Sequence, residues 1–166
     1  TKGDFNEFVV GSPGTNSTVF GPWETKRAGM FFTQDKKFAE SFATQGDSTQ
    51  GANIIPVYLK VENAIDLTEG FTDDAIIDAL AEKGVNPRLM HNISADQIWG
   101  MFDEEDDGSF FVSKLKELGY DGAIIVEPNT ATDESTETWV VFDPNQIKSA
   151  IGNNGNYLST NNDIRF

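Results

Sequence analysis

The sequence predicts a single α+β domain, and three observations carry that expectation. A short apolar strand, Gly29-Met30-Phe31-Phe32, runs into a helical pattern whose apolar face is Phe38, Ala39, Phe42 and Ala43. Three helical segments follow between residues 72 and 118. Two apolar runs, Ala123-Ile124-Ile125-Val126 and Trp139-Val140-Val141-Phe142, then flank a polar, turn-forming stretch, which reads as a hairpin with a long tip.

Taken in order, residues 9 to 28 are rich in Gly, Ser, Thr, Asn and Pro, a composition that makes a long loop and resists periodic structure. Thr33 is placed to cap the helix after the first strand. Alternation over Ile54 to Val61 predicts a strand, with Pro56 marking an edge or a strand start, and 63–67 leads out of it. The middle helices are expected at 72–83, closed by Gly84; after the Ser94-Ala95-Asp96-Gln97 capping-box pattern; and at 109–118, closed by Gly119. The segment from Asn153 reads as a polar, loosely packed tail.

Composition narrows the function classes. The 166 residues suit one domain of ordinary size, and 38% hydrophobic content with thirteen phenylalanines is enough for a core. With 27 acidic against 12 basic residues, the formal charge of -15 repels phosphate backbones and anionic membranes, so nucleic acid is not expected as a stable partner. Without cysteine there is neither a disulfide framework nor a thiolate metal site. No run reaches the roughly 20 apolar residues that span a bilayer.

Phe31 and Phe42 stand eleven residues apart, on a strand and on the helix after it. A fold-back that faced the two rings would make a slot for a flat cationic heteroaromatic ring, since the ring quadrupole attracts positive charge while stacking buries apolar area. Against this stands a plainer reading, in which an aromatic on an amphipathic helix belongs to the core.

The stretch from Ala28 to Thr33 with Phe42 resembles the Gly-Ile-Tyr-Phe segment and downstream tyrosine of poly(ADP-ribose) polymerases and diphtheria-toxin-like transferases. Tyr120-Asp121-Gly122, Trp139 through Ala150 and the Gly152-to-Phe166 ending are similar to ADP-ribosyltransferase modules inside phage and mobile-element polyvalent proteins, and this likeness covers nearly the whole chain. The resemblance implies two facing, mainly antiparallel sheets with flanking helices and an NAD cleft between them. It also implies transfer of ADP-ribose from NAD to a macromolecular acceptor, with host protein favoured over nucleic acid and no metal, by a monomer in a bacterial host's cytoplasm.

For individual residues, the resemblance implies nicotinamide stacking for Phe31 and Phe42, cofactor contact for Thr33, and the catalytic carboxylate for Glu137. Arg27 is placed to meet the pyrophosphate as a bidentate donor, and the loop from Val9 to Ala28 to close over NAD. The pattern departs from the family at two points. Counting back from Asp143, the polymerase-type glutamate falls on Thr138, on the other face of a regular strand, and a bulge would restore Glu137. The families' His-Gly pair does not occur at the start of the chain; Thr1 to Phe8 resembles the segment just after it, so the pair either precedes Thr1 or is absent from this lineage. A catalytically impaired binding module and an NAD glycohydrolase are the rival readings.

Two other motifs carry less. His91, the lone histidine, sits before the Ser94 cap and reads as a linker residue. Asp103 to Gly108 mimics the first half of a calcium loop, but its twelfth position is Lys114, which offers no carboxylate, and an acidic helix cap explains it better.

Overall fold

The computed structural model describes residues 27–44, 54–103, 107–129, 134–153, 158 and 160–165. Of the loop expected over Val9–Ala28 only Arg27 and Ala28 fall among them, and the hairpin tip 130–133 lies outside. The elements are β1 (Met30–Phe32), α1 (Lys36–Thr44), β2 (Val57–Leu59), β3 (Ala64–Asp66), α2 (Asp74–Glu82), α3 (Pro87–Asn92), a 3-10 helix (Ala95–Phe102), α4 (Gly108–Glu117), β4 (Gly122–Asn129), β5 (Glu134–Val141) and β6 (Ile147–Ser149).

Two sheets form. One has the order β1-β5-β4-β3 and the other pairs β2 with β6. All pairings are antiparallel except β3 with β4. The expected hairpin is β4–β5, whose register runs unbroken from Gly122 opposite Val141 to Asn129 opposite Glu134. No bulge interrupts it, so the faces of β5 follow strict alternation.

That alternation divides the sheet. Phe31, Val140, Ala123, Ile65 and Ile125 share the face that packs on the helices, forming the main core with Leu80, Ile98, Phe102, Phe111 and Leu115. On the other face, Met30 and Val141 pack with Ile147 and Ile164, joined by Phe32, Val57, Leu59 and Val61. This second, smaller core holds the two sheets against each other. Gly29 is required by packing: a Cβ there would overlap Val140 Cγ1.

Local chemistry accounts for where the helices begin and end. Asp35, not Thr33, caps α1: its Oδ1 accepts from Lys37 N at 2.8 Å and Phe38 N at 3.1 Å. Thr33 instead accepts from Asp35 N at 3.0 Å and donates to the Glu137 carbonyl at 3.1 Å, tying the end of β1 to β5. Asp73 caps α2, and Gly84, with φ of 95°, ends it. Asn86 and Pro87 start α3, a helix the periodicity does not announce. The segment after Ser94 winds as a 3-10 helix without a side-chain cap. Its apolar residues Ala95, Ile98 and Met101 recur every third position, which is the spacing that lines one face of a 3-10 turn.

The C-terminal segment is anchored rather than loose. Ile164 is buried, Ser149 N donates to Ile164 O at 2.7 Å, and buried Lys148 donates from Nζ to the carbonyls of Asn161 at 2.7 Å and Asp163 at 3.2 Å. Burial lowers the Lys148 pKa below the ordinary lysine value, and the Asp163 charge opposes that shift. Between the folded and unfolded pKa values the unfolded chain therefore binds more protons, so the cost of burying the charge falls as pH rises through that window. Urea midpoints compared with Lys148→Met should move in the parent's favour between neutral pH and the ordinary lysine pKa; a constant difference would contradict this.

Candidate active site

The most polar part of the interior lies on the helix-facing side of the sheet, towards the hairpin tip. Glu127 and Thr136 are opposite each other on β4 and β5, with Asn129 one step further along the same face; all three are buried. Asn129 Nδ2 lies 3.5 Å from Thr136 Oγ1. Thr138, on the same face and 1% exposed, has a buried hydroxyl with no hydrogen-bond partner among the described residues. A hydroxyl in that condition costs free energy unless something pairs with it.

Arg27 closes this region from the side. It forms a bridge with Asp103 while Ala28 N donates to Phe102 O at 2.8 Å, and this sets the guanidinium beside β4. Arg27 Nε lies 3.2 Å from Asp103 Oδ1, and its Nη1 lies 3.5 Å from Glu127 Oε2. The guanidinium carbon stands 4.6 Å from the Phe31 ring centroid and 5.1 Å from that of Trp99. Phe31 also meets Phe102 edge-on at 5.8 Å. Two aromatic rings and two carboxylates thus surround one planar cation, a combination suited to binding flat positive charge.

Glu137 points the other way. Three residues from Val140, the partner of Phe31, it lies on the opposite face of an unbroken strand and is exposed. Trp139 Nε1 donates to its Oε1 at 2.9 Å, which fixes the carboxylate's direction. Of the residues expected to act together, Thr33 meets Glu137 through its carbonyl and Arg27 meets Phe31, while Phe31 and Glu137 are on different faces. Phe42 lies in the last turns of α1, and its side chain is outside the described residues. His91 is exposed at the end of α3. Asp103 is a buried partner of Arg27 instead of a solvated cap, and no group of metal-ligating side chains occurs among the described residues.

Trp99 and Glu127 escape a reading of the sequence, and Asp103 is read there only as part of an acidic helix cap. They come from a 3-10 helix, its end and a strand, and only the fold brings them to Arg27. Buried acidic residues in apolar surroundings were the available signal, and Glu127 does follow directly on the run Ala123 to Val126.

The motif most specific to the resemblance turns out to hold the sheets together. Gln146 Oε1 accepts from Phe142 N at 3.0 Å and Asp143 N at 2.8 Å, and its Nε2 donates to the carbonyls of Lys60 at 3.0 Å and Asp121 at 2.8 Å. The Asp121 carboxylate accepts from Glu62 N and Asn63 N, both at 2.8 Å. Gly122 follows because a side chain there would press on Val61 Cγ1 and the Val140 carbonyl. No helix among the described residues is long and apolar enough to cross a membrane.

No curated protein and no solved structure matches the chain. A family model does, that of the ADP-ribosyltransferase in polyvalent proteins, over residues 1–157. With nearly the full length matched and two packed sheets flanked by helices, the chain belongs to the ADP-ribosyltransferase family of polyvalent proteins.

Proposed function

We propose that the chain transfers ADP-ribose from NAD to a macromolecular acceptor, a host protein in a phage or mobile-element setting. The observation that supports NAD is the Phe31 ring, whose face already carries a planar cation 4.6 Å away. Oxidised nicotinamide is a planar cation of the same charge, so the residues present fit that half of the dinucleotide. In the reaction the bond between nicotinamide nitrogen and ribose C1′ breaks with its electron pair going to nicotinamide; the acceptor's nucleophile bonds to C1′ and its proton is released. The chain's own contribution is to hold the leaving ring with Phe31 and Phe42 and to set a carboxylate, Glu137, where positive charge develops on the ribose.

For Phe31 and Glu137 to serve one ligand, the ligand must cross the sheet at the end of β1, beyond Thr33, where β5 continues through 134–136 with no strand on that side among the described residues. That requirement is also the observation favouring a second reading, a module that binds NAD without turning it over. Calorimetry separates stacking from simple core packing: Phe31→Ala and Phe42→Ala should each weaken NAD binding by about 1 kcal/mol or more in folded protein. Unchanged affinity in both folded variants would return the two rings to the core.

A further inference from the structure

Glu137 stands where β5 loses its neighbour on one side. β1 ends at Phe32, opposite Trp139, and no strand continues alongside Glu137 among the described residues. An exposed glutamate has three rotatable side-chain bonds, and ordering it costs conformational entropy. Two contacts act against that freedom. The Thr33 hydroxyl donates to the Glu137 carbonyl at 3.1 Å, holding the backbone where the ladder stops, and the Trp139 indole donates to Oε1 at 2.9 Å. Trp139 lies two residues further along an unbroken strand and so on the same face. Its own place is set by cross-strand partners, Phe32 of β1 on one side and Ile124 of β4 on the other.

The identity of the donor matters. An indole offers a single neutral N–H, so it orients the carboxylate without cancelling its charge, as an arginine or lysine in the same place would. Among the described residues, Oε2 accepts no hydrogen bond and no cation pairs with the carboxylate. We infer that Trp139 is a positioning residue, which holds the Glu137 carboxylate by one oxygen and leaves the other, with the charge intact, presented to the ligand. This rests on the reading that Glu137 stabilises positive charge developing on the ribose, and it adds the residue that sets the direction of that carboxylate. A charge already aimed needs no reorganisation as the bond to nicotinamide breaks, so the contribution of Trp139 belongs to the transition state and is felt in kcat more than in KM.

Steady-state turnover of NAD by the full chain and the indole N–H region of its NMR spectrum test this together. Trp139→Phe keeps an aromatic ring between Phe32 and Ile124 and removes the N–H, so kcat should fall about tenfold with KM unchanged. In a Glu137→Gln background the same change should cost no more than about twofold, because the two residues act as a unit. An unchanged kcat in Trp139→Phe, or an equal loss in both backgrounds, overturns the proposal. The hydrogen bond is also read without turnover: the Trp139 indole proton should move upfield in Glu137→Leu as it loses its acceptor, and an unmoved resonance overturns the proposal. Should Trp139→Phe fail to fold, this second measurement decides alone. If NAD stays intact while the indole proton moves, the carboxylate is held as described and the transferase reading fails; if NAD turnover depends on Glu137 and not on Trp139, the transferase reading stands and the positioning role fails.

Discussion

Replacing Glu137 by Gln is expected to lower NAD turnover at least about 100-fold while leaving NAD affinity nearly unchanged. The carboxylate is proposed to act on charge that develops only as the bond to nicotinamide breaks, so its loss is felt in the transition state and hardly in the ground state. Stability should not confuse the result. Glu137 is exposed, its neighbours Thr136 and Thr138 are buried on the opposite face, and Gln retains an oxygen to accept the 2.9 Å hydrogen bond from Trp139 Nε1. Thr138→Val is the matched control for the polymerase register. Its hydroxyl is buried without a partner among the described residues, so the isosteric change should leave stability unchanged or raise it, and any loss of turnover reports chemistry. Full activity in Glu137→Gln contradicts the assignment, and loss in Thr138→Val alone moves catalysis to the Phe31 face.

The largest loss of stability is expected from Gln146→Leu, about 3 to 5 kcal/mol. An amide offers two donors and an acceptor oxygen with two lone pairs, and here all four capacities go to the backbone of three separate segments. Leucine has similar bulk and none of those bonds, so two backbone N–H groups, that of Phe142 buried, and two carbonyls lose their bond to residue 146 together. Gln146→Glu keeps the acceptor but sets a carboxylate oxygen against the carbonyls of Lys60 and Asp121, and should also destabilise. Denaturant midpoints for both variants check this; a loss below about 1 kcal/mol in Gln146→Leu would mean that water or neighbouring groups replace the side chain.

Periodicity made much of this fold legible. Helices α1, α2 and α4 and the β4–β5 hairpin announce themselves through apolar spacing, reinforced after α2 and α4 by the glycine stops Gly84 and Gly119. The strands β3 and β6 do not: neither stands in an apolar or alternating run of its own, and their status as strands comes from pairing with β4 and β2. Asp35 displaced Thr33 as the cap of α1 because its carboxylate reaches two backbone donors, while the Thr33 hydroxyl is engaged with β5. The family could be recognised from Tyr120-Asp121-Gly122 and the run from Trp139 to Ala150, yet Asp121 and Gln146 within them serve the joint between sheets. Chemistry was harder to see, since the surroundings of Arg27 draw on residues 31, 99, 103 and 127, and sequence separation of that size hides a contact until the chain is folded.

Release of nicotinamide from NAD by the purified chain, with any residues its gene encodes before Thr1, tests the central claim most directly. With NAD labelled in its adenosine half, the account predicts that nicotinamide appears in step with label attached covalently to a macromolecular acceptor, and that Glu137→Gln suppresses both. Nicotinamide released with all the label recovered as free ADP-ribose would make the chain a glycohydrolase. NAD that binds and is recovered intact in the presence of acceptor would contradict the transferase account and leave a binding module on this fold.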